Sequence, residues 1–595
     1  MTTNQKLDAL RQSMKAAGVD ACLIPTADPH ISEYLPEHWA ARSYFSGFTG
    51  SQGTLVVTLT QSALWVDGRY FIQAERQIQG SEITLQRMGV AGVPTLQEYL
   101  KTTLTAGQTL AVDGMLAPSS LILELEQLLN PMDITIRSVD LISENWPNRP
   151  ALPASKAWLL EERFAGLSAA EKLAQVRKAL AQQNANTLVV TRLDSVAWLL
   201  NLRGGDLPCT PFALGYCVVD EDSAVLFLDK ERLDSQSVEA LQQQGVSIQP
   251  YTALVDFLKG YSRAARVLVD TEGTNWAIYQ TLQQNSHFTM LEGEDPIQAL
   301  KAVKNPVEIQ NIRNAHIKDG VAMVRFQIWL EQQLAAGSSL TEVDVDAKLF
   351  ELRTAQPDNI GISFDTIAAY GANAAMMHYH ATPESCSWLE PRGFLLVDSG
   401  GQYLDGTTDI TRTYALGPLT EQEKDFYTYV LKAHIDLAQV QFLEGCTGSN
   451  LDIMARAAVW KHGIDYRCGT GHGIGFVGNV HEGPQRLHTR LQKVAFEPGM
   501  IVTNEPGIYE EGLVGIRIEN ELLCELRTEN QYGRFLGFEV ITYCPIDLTG
   551  VRKELLTQDE LEWLNAFHAQ VYNTLKPHLT QEEAQWLEEK TKPLA

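Results

Sequence analysis

The residues best placed to do chemistry are Asp398, Asp409, His472, Glu505 and Glu519. The run GFLLVDSGGQYLDGTTDITRTY carries the first two. Phe394 to Val397 read as a buried strand ending on Asp398; a glycine-rich turn follows, and Asp409 falls on a second strand. A hairpin centred between Tyr403 and Leu404 sets the two aspartates opposite each other. Carboxylates held that close repel unless a proton or a cation lies between them. Taken singly, either aspartate could instead be a turn residue capping backbone amides. The run NEPGIYEEGLVGIRIENE repeats the arrangement, because Glu505 and Glu519 are symmetric about Gly512. Arg517 and Glu519 share one side of the strand, and Ile516 and Ile518 share the other. A glutamate alternating with isoleucines is not a simple solvated charge. The plainer alternative is an internal ion pair of Arg517 with Glu519 or Glu505. In RCGTGHGIGFVGNVHEGP, His472 sits between Gly471 and Gly473, so its backbone can approach other elements closely. The glycines at 469, 471, 473 and 475 do not spell G-x-G-x-x-G, which argues against a nucleotide loop.

Four carboxylates and one imidazole suit two divalent ions of borderline hardness, such as Mn²⁺, Co²⁺, Fe²⁺ or Zn²⁺. Two ions ~3.5–4 Å apart share a water, lower its pKa and yield hydroxide near neutral pH. They also polarise a carbonyl. The implied chemistry is metal-assisted hydrolysis.

Several elements must position these residues. The segment KLDALRQSMKAAGVDACLIPTAD (6–28) lines up with KLAQVRKALAQQNANTLVVTRLD (172–194), each reading as an amphipathic helix feeding a buried strand. Two similar α/β domains follow from that repeat, over residues 1–150 and 151–303, with Pro147, Pro150 and Pro153 as the linker. From Lys304 a long helix gives way after Ser363 to short strands and glycine turns, an α+β block over residues 304–548. Residues 549–595 read as a helical extension. The formal net charge of −26 opposes contact with phosphate backbones, so nucleic acid is not expected as a partner. The eight cysteines contain no Cys-x-x-Cys pair, and their sparse use fits a reducing, cytoplasmic location. The N-terminus lacks the apolar core of a signal peptide, and no run reaches the ~18 apolar residues of a membrane span.

The order Asp…Asp…His…Glu…Glu, within VDSGG, DGTTDITRT, GTGHGIG, NEPGIY and RIENE, resembles the pita-bread metallopeptidases. FSGFTGS (45–51), LWVDGRYF (64–71), the repeated N-terminal domains and the tail EEAQWLEEKTKPLA extend that likeness to the long, three-domain cytosolic form of aminopeptidase P. The resemblance implies two creatinase-N-like domains before a pita-bread catalytic domain. It also implies removal of an N-terminal residue that precedes proline, two divalent ions (manganese first), and a homodimer. By position, Asp398 would chelate one ion, Asp409 and Glu519 would bridge both, and His472 and Glu505 would complete the coordination of the second ion. His378 and His481 match histidines near the scissile bond, and Arg517 and Tyr509 match residues that orient the site.

One departure from the family pattern stands out. Cys468 occupies the position, four residues before His472, where animal members of the long form carry a histidine. A prolidase-type dipeptidase is the nearest rival, disfavoured because the prolidase pattern has one N-terminal domain. A non-catalytic peptide-binding module on the same fold is disfavoured because all five ligand positions are filled.

Overall fold

The computed structural model describes residues 1–594. The chain divides into two compact units, Met1–Glu162 with Leu167–Gln298, and Arg163–Gly166 with Ala299–Ala595. Among the described residues no helix is long and apolar enough to cross a membrane.

The first unit holds both copies of the repeat. Leu7, Leu10 and Met14 fall at helical spacing and are buried on the helix Thr3–Ala17. Thr2 caps its start in a reciprocal box with Gln5, and Gly18 ends it in the left-handed region at φ 64°. The helix Ala169–Gln182 is built alike, with Ser168 and Glu171 forming the box. Each helix feeds a buried strand, Ala21–Pro25 or Thr187–Val190. Each copy then completes a six-stranded sheet, and counted within the copy both sheets have the strand order 4-3-2-1-5-6. The pairing directions match as well: the first strand runs antiparallel to the second and parallel to the fifth in both. The sequence identity between the copies is low, but the topology is the same.

The second unit opens with the helix Pro306–Ala335. The Asn305 side chain accepts from the backbone N–H groups of Val307 and Glu308, the Glu308 carboxylate accepts in turn from the Asn305 N–H, and Pro306 fills the first turn, where its missing N–H costs nothing. A three-stranded sheet follows, with Phe394–Ser399 between Ile367–Tyr370 and Ile410–Ala415. A six-stranded sheet includes Gly471–Gly473 between Glu482–Leu487 and Ile501–Asn504, with Asn520–Asn530 beyond. The helices Glu421–Ala438, Gly448–Trp460 and Gln558–Leu575 share one apolar core with it, joining Leu431, Val459 and Phe567 to Val502, Leu522 and Leu536. The expected C-terminal helix is present as Gln581–Lys590.

His568 ties the C-terminal helices to this core. The fully buried imidazole accepts a hydrogen bond from the Ile546 N–H at 3.1 Å. Burial first, then Arg412, pushes its pKa down to about 4. The unfolded chain therefore binds the extra proton between pH 6.5 and 4, so this group makes stability fall as pH falls through that window. The stability advantage of the wild type over His568→Gln is expected to shrink below pH 6.5 by up to about 1.4 kcal/mol per pH unit. Urea melts of both proteins at pH 7, 6 and 5 measure it; a constant gap would refute a neutral His568.

Candidate metal centre

The first aspartate hairpin forms, but two residues out of the expected register. Asp398 faces Thr411, and the pairs Gln402–Thr407 and Tyr403–Gly406 leave Leu404 and Asp405 as the turn. Asp409 thus lies diagonally from Asp398, just before the strand Ile410–Ala415. Its backbone N–H donates to Glu521 Oε1 at 2.9 Å. The glutamate pair keeps the register expected from its sequence. Gly507 pairs with Arg517 on the tip hairpin, and Asn504 pairs with Asn520 in the larger sheet. Glu505 and Glu519 sit opposite each other where the chain passes from one sheet to the other.

The hairpins are stitched together by groups the sequence did not single out. Fully buried Arg412 donates to the carbonyls of Thr411, Glu519, Cys544 and Pro545 and to Asn520 Oδ1. Thr411 donates its hydroxyl to Glu519 Oε2 at 2.6 Å. His434 lies within 3.1 Å of the Asn504 carbonyl through Nδ1 and within 2.9 Å of Asn520 Nδ2 through Nε2. The amide must donate to Nε2, so Nδ1 carries the hydrogen and the ring is neutral. It pins the residues next to Glu505 and Glu519.

His472 enters on the short strand Gly471–Gly473. Its flanking glycines are required: a Cβ at 471 would lie 1.9 Å from the Thr503 carbonyl oxygen, and one at 473 would lie 2.2 Å from that of Glu482. Gly471→Ala is expected to lower stability by about 1–3 kcal/mol and to weaken metal binding. Melting temperature and metal titration at the level of the wild type would show that the strand tolerates the methyl. The imidazole Nδ1 lies 3.0 Å from the Gly473 carbonyl, which can only accept, so Nδ1 carries a hydrogen and Nε2 is the nitrogen turned toward the carboxylates. Nε2 is 3.5 Å from Asp409 Oδ2 and 3.3 Å from Glu505 Oε1.

Ligand atoms of Asp409, His472 and Glu519 all lie within 4.8 Å of one another. Burial, followed by the charges of Glu519, Asp398 and Glu505, holds the Asp409 carboxyl well above its usual range. Burial, then Glu505 and Asp398, does the same to Glu519. Glu505 is also raised, by burial first. Asp398 Oδ2 accepts from Arg517, whereas Asp398 Oδ1 and Glu519 Oε1 are buried without a hydrogen-bond partner. Buried carboxylate oxygens without hydrogen-bond partners, in a cluster where Asp409 and Glu519 meet an imidazole nitrogen, are the donor set a divalent cation takes, so the residues present fit metal ions.

The remaining candidates surround this cluster. The His481 ring is edge-on to His472 with centroids 4.4 Å apart, and the His378 ring is 6.4 Å from His481. Arg517 donates to Tyr509 Oη at 2.7 Å and to Thr411 Oγ1 at 3.1 Å. Cys468 is half-buried, and its carbonyl accepts from Arg456 at 2.7 Å. Glu521 is fully buried, with one oxygen on the Asp409 N–H and the other 3.1 Å from His316 Nε2. It follows Glu519 by two residues, so strand alternation was the available signal for it. His316 carries no local signal, since it arrives on the distant helix Pro306–Ala335.

Residues 310–525 match metallopeptidase family M24, residues 6–143 and again 148–308 match the creatinase/prolidase N-terminal domain, and 534–594 match the C-terminal region of peptidase M24. Fold and cluster together define a metallopeptidase of the pita-bread class. An aminopeptidase P2 from Arabidopsis thaliana is 39% identical over 100% of this chain and 89% of its own length. A probable Xaa-Pro aminopeptidase P from Colletotrichum graminicola is 39% identical over 100% and 99%. The chain belongs to the Xaa-Pro aminopeptidase P branch of family M24. The X-prolyl aminopeptidase of Caenorhabditis elegans, described as a cytosolic enzyme with a di-nuclear active site, superposes over 100% of both chains with a TM-score of 0.96 and 34% identity. The Xaa-Pro dipeptidase of Bacillus anthracis, 23% identical, covers 64% of this chain and 99% of its own with a TM-score of 0.50, which speaks to fold alone.

Proposed function

We propose that the chain removes the N-terminal residue preceding proline from peptides, using two divalent metal ions held by Asp398, Asp409, His472, Glu505 and Glu519. The observation that carries the reading is the buried convergence of Asp409, His472 and Glu519, with the Asp398 and Glu519 oxygens left unbonded. Asp409 and Glu519 would be shared between the ions, Asp398 would hold one, and His472 with Glu505 would hold the other. Manganese is the proposed metal. When bound, the ions supply Lewis acidity and activate water.

The chain's own residues do the rest. His378 and His481 stand on the His472 side of the cluster, where an imidazole can hand a proton to the leaving nitrogen or bond the substrate carbonyl. Arg517 fixes Asp398 and Tyr509 relative to each other. The preference for proline has a physical basis. A prolyl imide has no N–H and a fixed φ, so peptidases that grip an extended backbone by that N–H cannot use it. A site that reads the ring and a free α-amine can. The reading also includes a homodimer and a cytosolic location.

The test is cleavage of Arg-Pro-Pro, of a control tripeptide lacking proline at the second position, and of the dipeptide Gly-Pro, before and after a chelator. The reading expects Arg-Pro-Pro alone to be cleaved well, and only with metal. Cleavage confined to Gly-Pro would identify a dipeptidase. No metal-dependent cleavage would favour a peptide-binding role.

A further inference from the structure

We propose that Arg486 binds the C-terminal carboxylate of a tripeptide substrate, making short peptides with a free carboxylate the preferred class. The proposal rests on the aminopeptidase reading above.

His472 and Arg486 are direct cross-strand partners, since the strand Gly471–Gly473 runs antiparallel to Glu482–Leu487 with His472 opposite Arg486. Directly opposed residues project from the same face of a sheet. Alternation along the second strand agrees. Gln485 and Leu487 are buried, with Gln485 donating to the Ile501 carbonyl and Leu487 in the main core, while Arg486 is exposed. Arg486 therefore stands on the face that carries the His472 imidazole, at the edge of the six-stranded sheet.

Its charge is unspent. The Arg486 guanidinium makes no hydrogen bond or ion pair among the described residues, in contrast to Arg412, Arg456 and Arg517, which are each held by several partners. The chain leaves this edge through Arg490 and Lys493, both exposed and likewise without a side-chain partner among the described residues. On a protein of net charge −26, a local run of cations that begins opposite His472 offers an anion a place to bind.

The dimensions select the ligand. A carboxylate two residues beyond the scissile bond lies at most about 7 Å from it along an extended chain. The strand bearing Arg486 lies about 4.8 Å from the strand bearing His472. Arginine's planar fork matches a carboxylate in two parallel hydrogen bonds. A tripeptide brings its C-terminal carboxylate to that distance; an amide in the same place brings no charge.

The experiment compares kcat/KM for Arg-Pro-Pro and its C-terminal amide in the wild type, in R486Q and in R534Q. Arg534 is a charge-matched control on the same sheet, paired with Glu444. The wild type is expected to favour the free acid by about fivefold, the scale of a partly exposed charge pair. R486Q is expected to bring that ratio close to unity, and R534Q to retain it. The proposal is overturned if R486Q keeps the preference, if R534Q loses it equally, or if the wild type has none. Failure of the wild type to cleave either peptide would bring down the aminopeptidase reading and this proposal with it, an outcome distinct from cleavage with an unchanged ratio.

Discussion

Asp409→Asn is expected to lower kcat/KM by about 10³-fold or more while raising the melting temperature of the metal-free protein. The two effects share one cause. Asp409 lies among the charges of Glu519, Asp398 and Glu505, and burial magnifies their repulsion. Its folded pKa stands well above the ordinary 3.8. A carboxyl raised in this way contributes stability below its unfolded value, and that contribution is lost as pH rises through the folded value. Above the unfolded value the crowded carboxyl therefore destabilises the metal-free wild type, and an asparagine of the same shape relieves it. The backbone N–H of residue 409 keeps its bond to Glu521, so the hairpin stays in place. With metal the order reverses, because the variant offers one anionic ligand fewer. Lewis-acid stabilisation is worth several kcal/mol, and about 4 kcal/mol is the 10³-fold loss. Melting curves with and without manganese, together with metal stoichiometry, test both halves. A variant that binds two ions per chain and melts like the wild type in both states would remove Asp409 from the shared position.

Much of this cluster was legible in the sequence, and the reason lies in strand geometry. Symmetry of Glu505 and Glu519 about Gly512 sufficed to place them opposite each other, because an uninterrupted hairpin register carries from Asn504–Asn520 to Gly507–Arg517. The same argument misplaced Asp409 by two residues. There the turn is Leu404–Asp405, set by the tight Tyr403–Gly406 pair and by Lys318 reaching Asp405 at 2.7 Å, neither of which symmetry alone could supply. The repeat was visible as helix-then-strand in both copies, whereas the shared 4-3-2-1-5-6 strand order needed the coordinates. Least legible were the groups that hold the candidate ligands. Arg412, His434 and His316 act on strands 70 or more positions away, and no local periodicity encodes a contact at that separation.

Arg517→Met is expected to destabilise the metal-free protein by about 3–5 kcal/mol, the cost of stripping a buried charge of its partner, and to reduce kcat/KM by about 10²-fold, as loss of a ligand-orienting partner does. Arg517 is nearly fully buried and serves three groups at once: Asp398, Tyr509 and Thr411. Without it, Asp398 keeps a buried charge whose other oxygen already lacks a hydrogen-bond partner. Lysine restores the charge but not the fork, so Arg517→Lys should recover stability better than activity. Metal should shrink the stability loss, since a cation at Asp398 supplies the missing charge. A double-mutant cycle separates pairing from mere packing. If the Arg517–Asp398 pair carries the effect, adding Asp398→Asn to Arg517→Met regains stability, because no unpaired charge remains, yet activity stays lost because a candidate ligand has gone. If the two substitutions simply add in the metal-free protein, the arginine is filling space, and its link to the metal centre through Asp398 is wrong.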